Sequence, residues 1–386
     1  MAGAEVAPHD FASLAVVIFA LTRRLRPSVL YGPASAMVAV VGAFTLWTLA
    51  ALLWSSSATA VEFLFTQLRF FLVYVAVLAF ASTEDDPLLS ISRGLWRATV
   101  GVAVVALALY LWSLATGTTT VSLGPFRDVR IGVFRHLGAP RALGLAHDPN
   151  FFSLWLAPGL LIGMSGRVAS GFSRIAGLAV ISTMILLALS RTVLVAVPVA
   201  LAVSVLSYAV FSNEPVRLRR RALARLGMSA LLLVSVLAGI AAASSTLRTL
   251  VQSRFESGAQ TRVGRLQVIA DHVSPTDLVI GLGPRGAQQL LWGRYSHNTY
   301  VDVLVEFGIP GLGLWLAALA FAVIAFLKGL RQRVLLTPWP GIMVVAGAML
   351  MTFSLLTHPM LGVLLAISTL AVSPPLHLGA MPSGGA

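Results

Sequence analysis

The stretch TVLVAVPVALAVSVLSYAVF, residues 192–211, contains no charged side chain over 20 consecutive residues. About 20 apolar residues in a helix cover the hydrocarbon core of a bilayer, because each residue adds about 1.5 Å along the axis. The stretch therefore predicts a transmembrane helix. Arg191, immediately before it, lies at or near the point where this helix meets a membrane surface.

Similar apolar runs recur along the whole chain, separated by short breaks that hold Gly, Pro, Ser and Arg. Hydrophobic residues make up 58% of the 386 residues and charged residues only 11%, which excludes an ordinary soluble domain. Runs such as residues 230–243 do not alternate apolar and polar side chains, as the strands of a membrane β-barrel would. We predict an all-α integral membrane protein, with residues 1–386 forming a single polytopic bundle of about 10–12 transmembrane helices.

The basic residues predict the orientation of this bundle. Lys and Arg accumulate in cytoplasmic loops, and the strongest basic cluster lies between two apolar runs, at residues 217–225. Placing this cluster in the cytoplasm puts two connections on the outer face, residues 117–141 and a large loop at residues 244–300. We expect short helices in the large loop near residues 247–255 and 262–272, and a flexible tail at residues 374–386. The candidate spans are residues 11–22, 34–54, 61–81, 95–116, 142–165, 174–190, 192–211, 226–243, 301–327, 339–357 and 360–373.

The two outer connections contain many arginines, against the usual tendency for positive charge to stay inside. The net charge of +13 comes almost entirely from arginine, and few acidic residues accompany the outer ones. This excess indicates an anionic partner, and guanidinium groups suit phosphate because they offer paired donors and stay charged. Binding to lipid headgroups or to local carboxylates is the alternative. The outer arginines are Arg127, Arg130, Arg135, Arg141, Arg248, Arg254, Arg262, Arg265, Arg285 and Arg294.

Arg191 is the most informative of the basic residues, because it interrupts two apolar runs. Insertion of arginine at the centre of a membrane helix costs about 2.5–3.5 kcal/mol unless a partner or water compensates. A ligand at the outer surface would provide that compensation. Snorkelling of the side chain toward the headgroups is the alternative.

His297 closes the large outer loop, where we expect Ser296 to cap the helix that follows. Histidine can accept a proton near neutral pH, so it is a natural general base for a sugar hydroxyl. A purely structural histidine at the interface is the alternative. Asn298, Asp302 and Glu306 share one face of the same helix at four-residue spacing, and we expect these acids to pair with outer arginines.

Two further patterns do not predict a site. The segment from Gly281 to Gly286, GLGPRG, has the spacing of a dinucleotide-binding motif, but that motif works only between a strand and a helix, so we interpret it as a turn. The outer connections contain no closely spaced pair of acids suited to a divalent cation, and the chain has no cysteine. We therefore expect neither a metal nor a cofactor.

Several short motifs follow one another between residues 141 and 312. They are Arg141-Ala142-Leu143-Gly144 with Asp148-Pro149-Asn150, Leu189-Ser190-Arg191-Thr192, Thr261-Arg262, Gly281-Leu282-Gly283, Ser296-His297-Asn298-Thr299-Tyr300 and Glu306-Phe307-Gly308-Ile309-Pro310-Gly311-Leu312. In this order and topological placement they resemble the O-antigen ligase and O-antigen polymerase superfamily of polytopic GT-C type glycosyltransferases. The resemblance implies that Arg191 and Arg262 hold the pyrophosphate of an undecaprenyl-pyrophosphate-linked glycan and that His297 acts as the base. We place further substrate contacts at Arg265, Arg141, Asn150, Asn298 and Tyr300.

The function expected from these observations is transfer of the lipid-linked glycan to an acceptor hydroxyl, with inversion at the sugar carbon and without a metal. The expected location is the bacterial inner membrane, with the site facing the periplasm or cell exterior. The partners are the donor, a lipid or glycan acceptor and membrane lipids, and no nucleic acid. A ligase and a polymerase fit equally well. The main alternatives are a flippase or transporter for the same lipid-linked anion, although transporters often carry two related halves, and a non-enzymatic partner of a polysaccharide assembly complex.

Overall fold

Among the described residues, the computed structural model has twelve helices that can be given bounds, further helical residues at 216–217, 220–221, 224 and 227, and four short strands. The helices are α1 (Pro33–Ala50, continued by a 3-10 turn at Ala51–Leu53), α2 (Ala60–Ala81), α3 (Pro87–Thr116), α4 (Pro149–Met164), α5 (Gly171–Ala188), α6 (Arg191–Phe211), α7 (262–272), α8 (Asp277–Ile280), α9 (Gly286–Leu290), α10 (Thr299–Leu330), α11 (Trp339–Leu350) and α12 (Pro359–Val372). The strands are β1 (Thr120–Ser122), β2 (Asp128–Arg130), β3 (Gly132–His136) and β4 (Ala139–Gly144). The structure describes residues 33–56, 60–122, 128–130, 132–136, 139–144, 148–213, 215–217, 220–221, 224, 227, 262–294, 296–331, 336–352 and 358–372.

Six of these helices are long and apolar enough to cross a membrane, namely α1 with its 3-10 turn, α2, α3, α5, α6 and α10. Helices α4, α11 and α12 are apolar but shorter. The prediction of an all-α polytopic membrane fold is confirmed. The predicted span at residues 11–22, most of the span at 226–243, the short helix at 247–255 and the tail at 374–386 lie outside the described residues.

The first outer connection is more structured than the sequence indicates. Strands β1 and β2 form one antiparallel hairpin, and β3 and β4 form a second. Strand β4 continues to Gly144, so the predicted span at residues 142–165 is wrong at its start, and α4 begins only at Pro149. The side chain of Asp148 caps α4, and a proline at the first helical position fits because the missing N–H has no helical partner there.

Helix α6 packs against α11, and helix α10 packs against α1 and α12. Its core contact with α1 and α2 is aromatic: the Phe307 ring lies 6.5 Å from Phe44 and 5.4 Å from Phe63, and Phe44 also contacts Trp315. These rings are buried, and they hold three spans together at the level where α10 bends.

The bend in α10 has two causes, a positive φ of 67° at Gly308 and the proline at position 310. Proline has no N–H, so the carbonyl of Glu306, four residues earlier, loses its helical donor. The backbone N–H of Gly283 donates to this carbonyl at 2.9 Å, and that of Leu282 donates to the Val305 carbonyl at 2.8 Å. The turn predicted at GLGPRG is confirmed, and it docks the outer loop onto the bend.

Helix α1 completes this junction. The indole N–H of Trp47 donates to the Phe307 carbonyl at 2.8 Å, and that of Trp54 donates to the Gly281 carbonyl at 3.2 Å. The hydroxyl of Ser55 donates to the Pro284 carbonyl at 3.1 Å. The bend, the segment from Gly281 to Pro284 and the end of α1 therefore form one hydrogen-bonded unit.

Candidate active site

Four arginines and one histidine from separate parts of the sequence come together at the end of the bundle that carries the outer loop. Burial lowers the pKa of Arg262, and the positive charges of Arg191 and Arg265 lower it further. The pKa of Arg265 is lowered first by burial and then by the charge of Arg294. We refer to Arg191, Arg262, Arg265 and Arg294 as the arginine cluster. Like charges held this close repel one another, so the arrangement favours an anion between them.

Arg191 is the first residue of α6, and only two residues separate it from α5. The first N–H groups of a helix have no intrahelical acceptor, and the positive end of the helix dipole favours an anion there. Ser190, which precedes the helix, is fully buried, and its hydroxyl has no hydrogen-bond partner among the residues that the structure describes. The side chain of Arg191 is partly exposed, so it can reach a ligand at this end of the bundle.

Arg262 and Arg265 lie one turn apart on α7, where the sequence predicted a short helix. A small hydrophobic cluster of Ile269, Ala287, Leu291 and Val305 packs α7 and α9 onto α10. Because Val305 also accepts the hydrogen bond from Leu282, the two arginines are fixed to the same bend that anchors the loop. Their position relative to the membrane helices is therefore set by packing.

His297 has a backbone φ of 62°, a left-handed conformation that side chains with a Cβ seldom adopt. The buried hydroxyl of Ser296 holds it there, since it accepts the Asn298 N–H at 2.9 Å and donates to the Asn298 carbonyl at 3.1 Å. The expectation that Ser296 caps α10 is wrong. Asn298 is the cap, because its side-chain oxygen accepts the N–H groups of Tyr300 and Val301.

Burial lowers the pKa of His297, and the positive charges of Arg265 and Arg262 lower it further, to about 4. The carboxylate of Asp148 acts in the opposite direction and raises that pKa. Asp148 is thus the acidic neighbour that the sequence left unidentified for this histidine. The motif Asp148-Pro149-Asn150 was visible in the sequence, but only the fold brings the start of α4 close to His297.

Asp148 also begins a chain of partly buried hydrogen bonds. Its Oδ1 accepts both the backbone N–H and the side-chain N–H of Asn150, each at 2.7 Å. The Oδ1 of Asn150 in turn accepts from Arg141 Nη2 at 3.3 Å. The Nε of Arg141 donates to the Ala188 carbonyl at 2.9 Å, and its Nη2 donates to the Leu189 carbonyl at 3.2 Å.

The other predicted residues of the α10 start have structural contacts. Tyr300 is partly buried and packs against the main core. Asp302 and Glu306 are buried, and the Glu306 carboxylate accepts backbone hydrogen bonds from Arg285 and Ala287 and lies near the Arg285 charge. The pairing of this helix face with outer arginines stays a prediction, and the arginine whose charge acts on Glu306 is Arg285. The described residues contain no group of three or more His, Cys, Asp or Glu able to hold a metal ion.

Comparison with protein families gives one match, to the family described as O-antigen ligase, over residues 176–316. The matched range contains Arg191, Arg262, Arg265 and His297. The comparisons with curated proteins and with solved structures found no match. The chain is therefore similar to the O-antigen ligase family over residues 176–316, and its long apolar helices are those of a polytopic membrane protein.

Proposed function

We propose that this protein belongs to the O-antigen ligase and polymerase superfamily and transfers a glycan from a polyprenyl pyrophosphate to an acceptor hydroxyl at the outer face of the bacterial inner membrane. One observation carries the proposal. Three separate segments bring together arginines that can bind an anion and a histidine that can accept a proton. They are Arg191, Arg262 with Arg265, and His297.

In the proposed reaction the acceptor oxygen attacks the first carbon of the donor sugar. A new carbon–oxygen bond forms there, and the bond from that carbon to the pyrophosphate oxygen breaks, so the configuration inverts. His297 takes the hydroxyl proton, and polyprenyl pyrophosphate leaves with the bonding electron pair. The arginine cluster stabilises the charge that develops on the phosphate oxygens, and because these cations are fixed, no metal ion is required.

The arginine cluster also controls the base. With its pKa near 4 in the ligand-free protein, His297 is neutral at pH 7 and able to accept a proton. A bound pyrophosphate would offset the charges of Arg262 and Arg265 and raise that pKa, which makes the histidine a stronger base only when the donor is present. Asp148 would then stabilise the imidazolium that forms.

The test is transfer by purified protein in detergent, with a labelled polyprenyl-pyrophosphate oligosaccharide and a panel of acceptors that covers lipid A core and a second lipid-linked glycan. Product formed in the presence of a chelator, and reduced at least about 10²-fold by His297→Ala, supports the proposal and identifies the acceptor. His272→Ala is the matched control, because His272 lies on the same loop and is exposed at the end of α7. Movement of the glycolipid across proteoliposomes without transfer would instead indicate a flippase.

A further inference from the structure

The side chain of Arg141 is 3% exposed, and its guanidinium contacts three acceptors from two segments of the chain. It donates to the carbonyls of Ala188 and Leu189, which end α5, and to the side chain of Asn150 at the start of α4. The last carbonyls of a helix lack helical donors, and a cation near them is favoured by the helix dipole. These contacts occupy Arg141 within the protein.

Helix α5 ends in an unusual way, which explains why such a contact is needed. Leu189 adopts the left-handed conformation, with φ 49° and ψ 39°, at a position where glycine is the usual residue. Only Leu189 and Ser190 lie between α5 and Arg191, so the direction of this short junction determines where α6 starts. Arg141 holds both carbonyls on which the junction depends.

We propose that Arg141 is a positioning residue that acts through Arg191, fixing the α5–α6 junction so that the Arg191 guanidinium points into the arginine cluster. It does not bind the pyrophosphate itself. This inference rests on the proposed function only in taking Arg191 as a ligand of pyrophosphate. The chain from Arg141 through Asn150 to Asp148 extends the same support toward His297.

Another arginine of this protein, Arg174, provides a matched control at the opposite end of α5. Arg174 donates through Nε to the Gly163 carbonyl and through Nη2 to the Met164 carbonyl, both at 2.9 Å, at the end of α4. It therefore ends a helix by the same chemistry, and it lies in the first turn of α5, at the opposite end of that helix from the junction. Arg174→Lys therefore shows how losing an arginine contact of this kind affects the protein when the α5–α6 junction is left intact.

The first experiment measures hydrogen–deuterium exchange of the full-length protein in detergent. Lysine cannot reach two carbonyls and Asn150 with the planar geometry of arginine, so Arg141→Lys should speed exchange about tenfold in peptides covering residues 186–195. Arg174→Lys should leave those peptides unchanged. Unchanged exchange in Arg141→Lys would overturn the proposal. Asn150→Ala, which removes one of the three contacts, should give the same pattern at smaller size if the Arg141 variant does not fold.

The second experiment is a double-mutant cycle on binding of farnesyl pyrophosphate. Arg141→Lys should weaken binding about tenfold in the wild type, but less than about twofold when Arg191 is already Gln, because the effect passes through Arg191. Additive losses would show that Arg141 contacts the pyrophosphate directly and would overturn the positioning function. If the wild type does not bind farnesyl pyrophosphate, the proposed function fails, while the exchange experiment still decides the positioning of the junction.

Discussion

At the scale of single residues, the candidate base depends on its two neighbours in sequence. Ser296 holds the backbone of His297 in a left-handed conformation with two hydrogen bonds, and Asn298 starts α10 directly after it. Ser296 and Asn298 are hydrogen-bonded to each other on either side of His297, so the three residues form one structural unit. The orientation of the imidazole should therefore depend on the buried hydroxyl group of Ser296.

The first prediction concerns that hydroxyl. Ser296→Ala should lower kcat about tenfold with little change in the donor KM, because the backbone of His297 is no longer held while the arginine cluster remains intact. Steady-state transfer kinetics measure both constants. Ser274→Ala is the matched control, since Ser274 lies on the same loop and bonds only locally, to Thr276 and Asp277. Equal kcat values for wild type and Ser296→Ala would contradict the prediction.

The second prediction concerns pH. Burial, Arg265 and Arg262 lower the pKa of His297, so Arg265→Gln should raise it. A histidine with a raised pKa stays protonated, and inactive as a base, up to a higher pH. The acid limb of kcat/KM, which reports the free enzyme, should therefore move to higher pH in this variant. Arg221→Gln, an exposed arginine beyond the far end of α6, should leave the limb in place. A shift to lower pH would refute the electrostatic assignment.

At the scale of elements, the bend in α10 is a docking site for the outer loop. The backbone of Gly281 approaches so closely that a Cβ there would lie 2.4 Å from the Glu306 carbonyl oxygen. A Cβ on Gly308 would lie 2.6 Å from the Val279 carbonyl oxygen. Two glycines, one on each partner, therefore allow the helix and the loop to meet, and this contact carries α7 with its arginines.

The third prediction tests this contact. Gly308→Ala should destabilise the protein by about 1–3 kcal/mol, because it adds a Cβ at a positive φ and against a neighbouring carbonyl. The loss should appear in the Tm and as faster proteolysis between residues 262 and 294. Gly313→Ala, on the same helix with open space around the new Cβ, should leave both measurements nearly unchanged. Equal behaviour of the two variants would exclude the docking interpretation.

At the scale of the whole molecule, the fold brings arginines from separate segments together at one end of an apolar bundle. Arg191, Arg262 and Arg265 repel one another in the ligand-free protein. A bound anion would relieve this repulsion, which makes anion binding more favourable. Residues selected for such a site are expected to lower stability while they provide function. The cluster should therefore respond to ligand as a unit.

The fourth prediction follows from this arrangement. Arg262→Gln should lower turnover at least about 10²-fold yet leave the Tm equal to or above that of the wild type, because one of the repelling charges is removed. Farnesyl pyrophosphate at about 100 times its Kd should stabilise the wild type by about 2.7 kcal/mol and the variant by much less. Thermal denaturation with and without the ligand measures both effects. A variant with a much lower Tm would indicate a structural arginine.

The amino-acid sequence determined the membrane fold, because burial in lipid depends on the composition of each 20-residue segment and needs no knowledge of distant contacts. It also indicated Arg191, which interrupts two apolar runs, and His297, which stands at the start of a predicted span, while Arg262 was singled out by the family resemblance. The short helix at residues 262–272 was predicted because the stretch favours helix and ends before a proline.

The tertiary structure decided how these residues are supported. The acidic neighbour of His297 is Asp148, Arg141 contacts carbonyls 47 and 48 residues away, and Trp47 bonds a carbonyl 260 residues away. Helical propensity and hydropathy act over a few turns and carry no information about such pairs. The hairpins, the cap at Asn298 and the docking of the loop on the α10 bend depend on which backbone groups remain without partners after the bundle packs, and only the packed chain determines that.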